Sequence, residues 1–371
     1  RQWNEYKGTD VQGIDTDWMK EILQVAPTSN TELSLSSGND KTRIFLSGNF
    51  YNQVGTVKGT SFDRYSGRLN VDHKILKNLS IGASVSMASS KNNRVEGDQT
   101  LFGPLPNALS IPAIYPVYNE DGSYNEDGPY ANPVAISNET VNVAHTNRNV
   151  GNAFLEYKFL DYFTFNTKFG IDNYNLREHG YDPVTVRQGA KYNGLGIEGT
   201  TFVSNVVSSN VLQFVRTFKD DHNLEALAGY SFEKYARRNT YIEGINFPNE
   251  NLQYITSAGT IRAASAFAID RGMNSWFSQI KYNFKYRYIF TLTGRADGSS
   301  KFGTNNRYGY FPAVSFAWRM NEENFLKNIR QIDDFKLRIS IGKTGNDAIG
   351  DFNSLGLYKG GYNYGGGAGI A

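Results

Sequence analysis

Four histidines, a few carboxylate pairs and two glycine-rich strings are the places where this 371-residue chain could carry out chemistry. His73, His145, His179 and His222 stand apart, with neither the paired spacing that holds zinc nor the serine motif that completes a triad. Gly194-Leu195-Gly196-Ile197-Glu198-Gly199 fits the dinucleotide fingerprint letter by letter. It follows the polar Lys191-Tyr192-Asn193 and runs into a strand pattern, so no helix N-terminus is there to receive a pyrophosphate. Gly342-Lys343-Thr344 imitates the end of a phosphate-binding loop, but Leu337 stands where its first glycine is needed. The stretch 119–128 is rich in Asp, Asn and Glu, yet Tyr124 occupies the position where a calcium loop starting at Asn119 requires glycine, which makes a solvated turn the better reading. Glu322-Glu323 and Asp333-Asp334 lie beside turns, where solvation or helix capping is the expected role. With no cysteine, thiolate metal sites, disulfides and cysteine nucleophiles are excluded. The expectation is a protein that is not an enzyme, with no catalytic, metal or cofactor-binding residue. What remains is recognition: Tyr115, Tyr118, Tyr124 and Tyr130, all in the long segment 90–145, have flat faces suited to stacking on sugar rings or peptide side chains while their hydroxyls stay hydrated. The alternative for each is that it packs the segment against itself.

The elements that position these residues are strands. In the stretch 274–342, four runs alternate apolar and polar residues. Trp276, Ile280, Tyr282 and Phe284 oppose Gln279, Lys281 and Asn283. Tyr288, Phe290, Leu292 and Ala296 oppose Thr291, Thr293, Arg295 and Asp297. Tyr310, Val314, Phe316 and Trp318 oppose Ala313, Ser315 and Arg319, and Leu337, Ile339 and Ile341 oppose Lys336, Arg338 and Ser340. Period two over about ten residues is the length and rhythm of a strand tilted through a bilayer, apolar side outward and polar side inward. Tyr282, Phe290, Phe316 and Ile339 are expected to face lipid, and Lys281, Thr293, Ser315 and Arg338 a lumen. A mean hydropathy of −0.49 fits such a chain, because each strand hides its hydrophobicity in every second position. The net charge of +2, from 38 basic and 36 acidic residues scattered along polar faces, leaves no footprint for nucleic acid.

Taken in order, residues 1–30 read as a connecting segment in which Asp15-Thr16-Asp17 offers an N-cap to one or two amphipathic turns over Trp18–Leu23, stopped before Pro27. Strands follow over 31–37 and 41–53, joined at Gly38-Asn39-Asp40, whose residues tolerate positive φ. Further strands occupy 62–75, 79–87, 147–159, 162–175, 200–218 and 223–238. Within the long segment, Tyr118–Tyr124 around Asp121-Gly122 suits a small hairpin. Connections near 38, 77, 160, 219 and 285 are short, whereas 54–60, 90–145, 177–198, 239–272 and 298–307 are longer. The alternation is that of a membrane barrel with turns on its periplasmic side and loops outside. The connection 321–332 is longer than its side demands, and Asn324-Phe325-Leu326 suggests a helical turn there. Residues 31–343 thus form the barrel strands, and 344–371 a Gly-rich start of an outer loop with no return strand. Soluble propellers, sandwiches and β-helices also alternate, but lack the long and short parity.

Three stretches carry a family resemblance: Thr16-Asp17-Trp18-Met19-Lys20-Glu21-Ile22 with the Leu33–Gly55 hairpin, Arg295-Ala296-Asp297-Gly298-Ser299-Ser300-Lys301-Phe302-Gly303 running into Asn306–Pro312, and Lys336-Leu337-Arg338 to Gly342-Lys343-Thr344-Gly345-Asn346. Together they resemble the SusC/RagA-type TonB-dependent outer-membrane transporters over almost the whole chain. The resemblance implies an all-β, antiparallel transmembrane barrel of the 22-strand class, of which this chain holds about twelve strands from the middle. It also implies import of oligosaccharides or peptides, powered by the TonB complex and capped by a SusD-like lipoprotein, with Arg64, Arg68, Lys74 and the other polar lumen residues surrounding a plug. The plug domain and TonB box lie outside this sequence, and no ligand-binding residue transfers from the family's motifs. A passive porin, or a soluble surface glycan-binding β-protein, is the alternative reading.

Overall fold

The chain folds as one twelve-stranded antiparallel meander in which every strand pairs with its sequence neighbours, in the order β1 to β12. The structure, a computed structural model, describes residues 13–95, 102–327, 329, 331, 333–355, 362–364 and 367–369. The first twelve residues of the connecting segment, 96–101 of the long loop and much of the Gly-rich tail lie outside the described residues. The strands are β1 (Thr28–Gly38), β2 (Thr42–Val54), β3 (Ser61–Leu76), β4 (Leu79–Asn93), β5 (Val141–Phe159), β6 (Phe163–Asp182), β7 (Leu195–Phe218), β8 (His222–Ile245), β9 (Thr260–Phe284), β10 (Tyr288–Ser299), β11 (Tyr308–Arg319) and β12 (Lys336–Gly342). Among the described residues there are also four short α-helices: α1 (Trp18–Ile22), α2 (Pro104–Ser110), α3 (Pro133–Glu139) and α4 (Arg187–Tyr192). A separate two-stranded ribbon, β13 (Tyr362–Tyr364) with β14 (Gly367–Gly369), lies in the tail.

Register confirms the two faces. Tyr282 pairs with Phe290, Phe290 with Phe316, and Phe316 with Ile339, so the four form one unbroken cross-strand row. Lys281, Thr291, Ser315 and Ser340 make the adjacent row on the opposite face. The same parity carries the apolar face through Leu224, Leu212, Phe165, Tyr157, Ile81, Leu69, Leu46 and Leu35 to the far edge. Large apolar side chains there stay open, among them Ile341 at 75% and Leu292 at 57% exposure. Water would not tolerate a continuous apolar face of this size, whereas lipid solvates it and leaves each backbone group paired within the sheet.

Aromatic rows bound the apolar face at both ends. At the short-turn end, rings follow one another through Phe159, Phe163 and Phe214, with centroids 5.3 and 5.1 Å apart, and through Phe284, Tyr288 and Trp318 at 6.3 Å each. At the loop end stand the pairs Phe50–Tyr65 at 4.7 Å and Tyr230–Trp276 at 4.5 Å. Eight residues of β10 separate the two levels, about 26 Å of strand. Tilted by roughly 40°, that length gives about 20 Å of height, the scale of an outer-membrane apolar band.

Several boundaries differ from those the alternation predicts. The strand expected over 79–87 runs to Asn93, β8 continues to Ile245, and β9 starts at Thr260 rather than near Asn274, so the loops shrink to 94–140, 183–194 and 246–259. The reason lies in segments such as Arg237-Arg238-Asn239-Thr240 opposite Phe267-Ala268-Ile269: the backbone ladder continues above the apolar band, where no lipid imposes a pattern. The turns also differ. Positive φ falls on the consecutive pairs Leu160-Asp161, Lys219-Asp220 and Lys285-Tyr286. The Gly38-Asn39-Asp40 turn avoids it and is closed by the Asn39 side chain, whose Oδ1 accepts from the backbone N–H of Lys41 and of Thr42 at 2.9 Å. Glu323 is likewise no solvated turn residue. Its carboxylate accepts from Trp318 Nε1 at 3.0 Å, Tyr288 Oη at 2.6 Å and Arg287 Nη1 at 3.2 Å, which pins the connection after β11 to the aromatic row.

Candidate functional site

Apart from 320–335, the longer connections lie at one end of the sheet, and there the chain builds a second layer. Asp17 caps α1 by accepting from Lys20 N at 3.1 Å, and the i, i+4 pair Trp18 and Ile22 turns inward. These two pack with Ala108 of α2, Ile111 and Val134 of α3 as a small core. Trp18 Nε1 donates to Pro112 O at 3.2 Å and Thr16 Oγ1 to Tyr115 O at 2.7 Å, so the connecting segment and the long loop form one body. The bridge of Leu23 to Val57 and the bond from Lys58 N to Ile22 O seat that body on the β2–β3 connection.

Two buried asparagines fix the loop's path. Asn132, fully buried, donates to Val117 O at 2.7 Å and Asn125 O at 3.1 Å, while its Oδ1 caps α3 by accepting from Val134 N and Ala135 N. Asn107 joins Gly103 O to Ala131 N in the same way. Glu126 then latches this layer to the neighbouring loop. It accepts from Asn132 N at 3.2 Å and pairs with Arg187 Nε of α4 at 3.2 Å, while Arg187 Nη2 also donates to Gly128 O at 2.8 Å. Burial pushes the Glu126 carboxyl above its ordinary value in spite of that guanidinium.

Between the latched loops lies a cavity of about 440 Å³, lined by Phe102, Tyr130, Asp182, Gln188, Lys191, Tyr192 and Arg262. Register places Asp182 on the polar face of the sheet, so the cavity opens at the mouth of the lumen side. Arg262 is held by Glu243 and lies 4.6 Å from the Tyr192 ring centre. Lys191 lies 5.1 Å from the same ring, and the Gln188 Oε1 is buried without a hydrogen-bond partner among the described residues. Flat rings, amides and charges converging on a concave space suit a polar ligand that carries apolar faces.

The four tyrosines singled out from the sequence do not share one platform. Tyr115 and Tyr124 pack against the small core, and the ring of Tyr118 rests on that of Tyr124 at 5.3 Å. Tyr124 Oη donates to Glu139 Oε1 at 3.0 Å, and burial raises its pKa. Only Tyr130 of the four reaches the cavity. Its partner Tyr192 was not foreseen, although Lys191-Tyr192-Asn193-Gly194 ends α4 with left-handed Asn193 and Gly194, a stop signal that the fingerprint reading passed over. Within 119–125 the short polar side chains bond one another: Ser123 donates to Asp121 Oδ1 and Asn125 Nδ2 to Asn119 Oδ1. Among the described residues no His, Asp or Glu group is arranged to hold a metal ion.

No protein-family model matches the chain. It is 31% identical over 368 residues to TonB-dependent receptor P3 of Formosa agariphila, covering 95% of this chain and 36% of that receptor. It is 26% identical over 385 residues to TonB-dependent receptor SusC of Bacteroides thetaiotaomicron, covering 96% of this chain and 37% of SusC. A solved structure of the RagAB peptide transporter matches with a TM-score of 0.79 at 23% identity, over 97% of this chain and 41% of that one, a likeness of fold. The chain therefore spans little more than a third of the length of these relatives.

Proposed function

Because this chain belongs to the SusC/RagA-type TonB-dependent transporters of the outer membrane, we propose that it forms the middle of the barrel wall of an importer that carries oligosaccharides or peptides inward at the expense of TonB-coupled energy. In this reading the short turns face the periplasm, and residues 1–30, the loops 94–140, 183–194 and 246–259 and the tail beyond 343 share the outer side. A plug domain upstream fills the lumen, and a SusD-like lipoprotein closes over the loop layer. The observation that carries the reading is the loop layer itself: a body with its own core, seated at one end of the wall, enclosing a cavity beside Tyr130 and Tyr192. Such a construction costs chain length that a passive pore does not need, and it presents a ligand-sized concavity at the lumen mouth.

The test is made in the intact transporter. Cutting out 110–130 would remove Ile111 and Glu126 and dismantle the layer, so point variants are the sharper tool. Tyr130→Ala with Tyr192→Ala should weaken capture of the transported oligosaccharide or peptide by roughly fivefold or more, while heat-modifiable electrophoretic mobility shows the barrel still inserted. Undiminished capture would remove the cavity from the pathway.

A further inference from the structure

Two glycines interrupt the lipid-facing side of the wall. The row next outward from Leu35, Leu46 and Leu69 runs from Leu33 through Gly48 and Gly67 to Met87, so its middle carries no side chain. The result is a groove of about 560 Å³, walled by Leu33 and Met87 and closed at its outer end by the stacked rings of Phe50 and Tyr65. A Cβ at Gly48 would meet nothing within 4 Å, and one at Gly67 only Ser47 O at 3.8 Å. Packing within the wall therefore does not demand these glycines; what they leave is room. The floor lies one and two strands in from β1, so a strand added at the sheet edge would meet Leu33 and leave the groove open.

Directly outward of the rings the same face becomes cationic. Ser89 on β4 is the cross-strand partner of Tyr65, and two residues beyond it Lys91 opens a row that continues to His145 on β5 and Arg177 on β6. The three sit on consecutive strands, whose backbones are about 5 Å apart. All are exposed, and none forms an ion pair among the described residues. The carboxylates beside them on this face are engaged: Asp63 accepts from Asn52 Nδ2 at 2.6 Å, and Glu198 pairs with His179 Nδ1 at 2.7 Å. Because the strands are tilted, the row also climbs. The row of Tyr65 reaches Ala268 on β9, eight residues outward of Trp276, which stands at the same aromatic level as Tyr65. His145 and Arg177 therefore stand successively farther above the apolar band than Lys91.

An apolar groove open to lipid, closed by an aromatic pair and continued outward by unpaired cations, has the outline of an anionic lipid, with the acyl chain below and the headgroup above. We propose that this face holds a lipopolysaccharide molecule of the outer leaflet, with an acyl chain in the Gly48–Gly67 groove and phosphates on Lys91, His145 and Arg177. A glycerophospholipid presents its phosphate at a single height, whereas the anionic groups of lipopolysaccharide continue outward into its saccharide, as the climbing row does. The inference uses only the outer-membrane location of the family and is independent of what is imported.

The test uses the purified, delipidated full-length transporter in detergent, with bound lipid measured by native mass spectrometry. The probes are rough lipopolysaccharide, the same molecule dephosphorylated, and phosphatidylglycerol. Rough lipopolysaccharide should be retained more tightly than either of the others, and its advantage should shrink as salt is raised. Lys91→Gln with Arg177→Gln should weaken it on the order of tenfold and leave the dephosphorylated form unchanged. Gly48→Leu fills the groove and should weaken both forms; Gly67→Leu reads the same groove if the first variant does not insert, as shown by heat-modifiable mobility. Lys168→Gln, on the lumen face of β6, should change neither. Equal retention of phosphatidylglycerol, no loss in the charge variant, or the same loss in Lys168→Gln would overturn the proposal. So would a Gly48→Leu protein that keeps its lipid but changes from dimer to monomer, which would give the groove to a second copy. Uptake measured alongside bears on the import reading alone.

Discussion

Between the two aromatic levels the wall keeps one face apolar from strand to strand; above them, in the outer third of β7, β8 and β9, it is the same hydrogen-bonded ladder without that sorting. β9 shows both along one strand. Trp276, Ile280, Tyr282 and Phe284 keep one face apolar, while Thr260-Ile261-Arg262-Ala263-Ala264-Ser265-Ala266 keeps none, yet its pairing with β8 continues after a single register shift near Glu243. The comparison teaches that lipid, rather than the sheet, writes the pattern. Backbone groups need partners everywhere, but side chains are sorted only where the two faces meet different solvents.

The largest effects should separate the two regions. Trp18→Ala empties the small core of the loop layer and should cost about 3–5 kcal/mol of that layer's stability. Protease should then cut within 94–140 while the strands between the aromatic levels keep their hydrogen-exchange protection. A simultaneous loss of protection in β3 to β6 would show that layer and wall are one cooperative unit. Leu292→Arg is the converse experiment. Leu292 lies midway between Tyr288 and the Trp276–Ala296 level, so the charge should cost about 2–4 kcal/mol of folding into lipid vesicles. The matched substitution Ala266→Arg, above the outer level, should stay within about 0.5 kcal/mol. Equal costs at the two positions would move the lipid boundary or shift the register by one. Smaller again, Asn132→Ala should destabilise the loop layer by about 2 kcal/mol, because the α3 cap and two acceptors lose their partner together. Calorimetry of the layer's transition would measure it.

What was legible in the sequence follows from the same division. The row Tyr282, Phe290, Phe316 and Ile339 could be placed because each residue obeys the two-solvent rule, and the parity of connections oriented the wall. The upper strands were missed because Arg237-Arg238-Asn239-Thr240 reads as loop when only periodicity is consulted. The turns at Leu160-Asp161 and Lys219-Asp220 give no glycine or asparagine signal, since the flanking ladders impose their left-handed backbone. In the long loop, Asn132-Pro133 was a readable cap and first-turn pair, passed over among many prolines and asparagines. The Glu126–Arg187 latch was not readable at all: 61 positions separate its members, and only the folded loop layer brings them together.

That latch supplies the finest contrast, because its carboxyl responds to pH. Glu126 gains a cation and a backbone donor in the closed layer, yet burial outweighs them and its pKa stands above the ordinary carboxyl value. A closed state with the higher pKa binds the proton more tightly than an open one. Closure is therefore favoured below the ordinary carboxyl range, weakens as pH rises through the raised value, and is constant beyond it. The layer still closes at neutral pH, since Arg187 also holds Gly128 O and the core of Trp18 and Ile22 does not titrate. Hydrogen exchange over 94–140 should thus slow slightly on acidification across that window, while exchange in β10 and β11 shows no such step. Glu126→Gln keeps the side chain's shape, removes the charge, and should abolish the step without opening the layer. Faster exchange on acidification, or a step that survives the substitution, would mean that the ion pair rather than burial governs the latch.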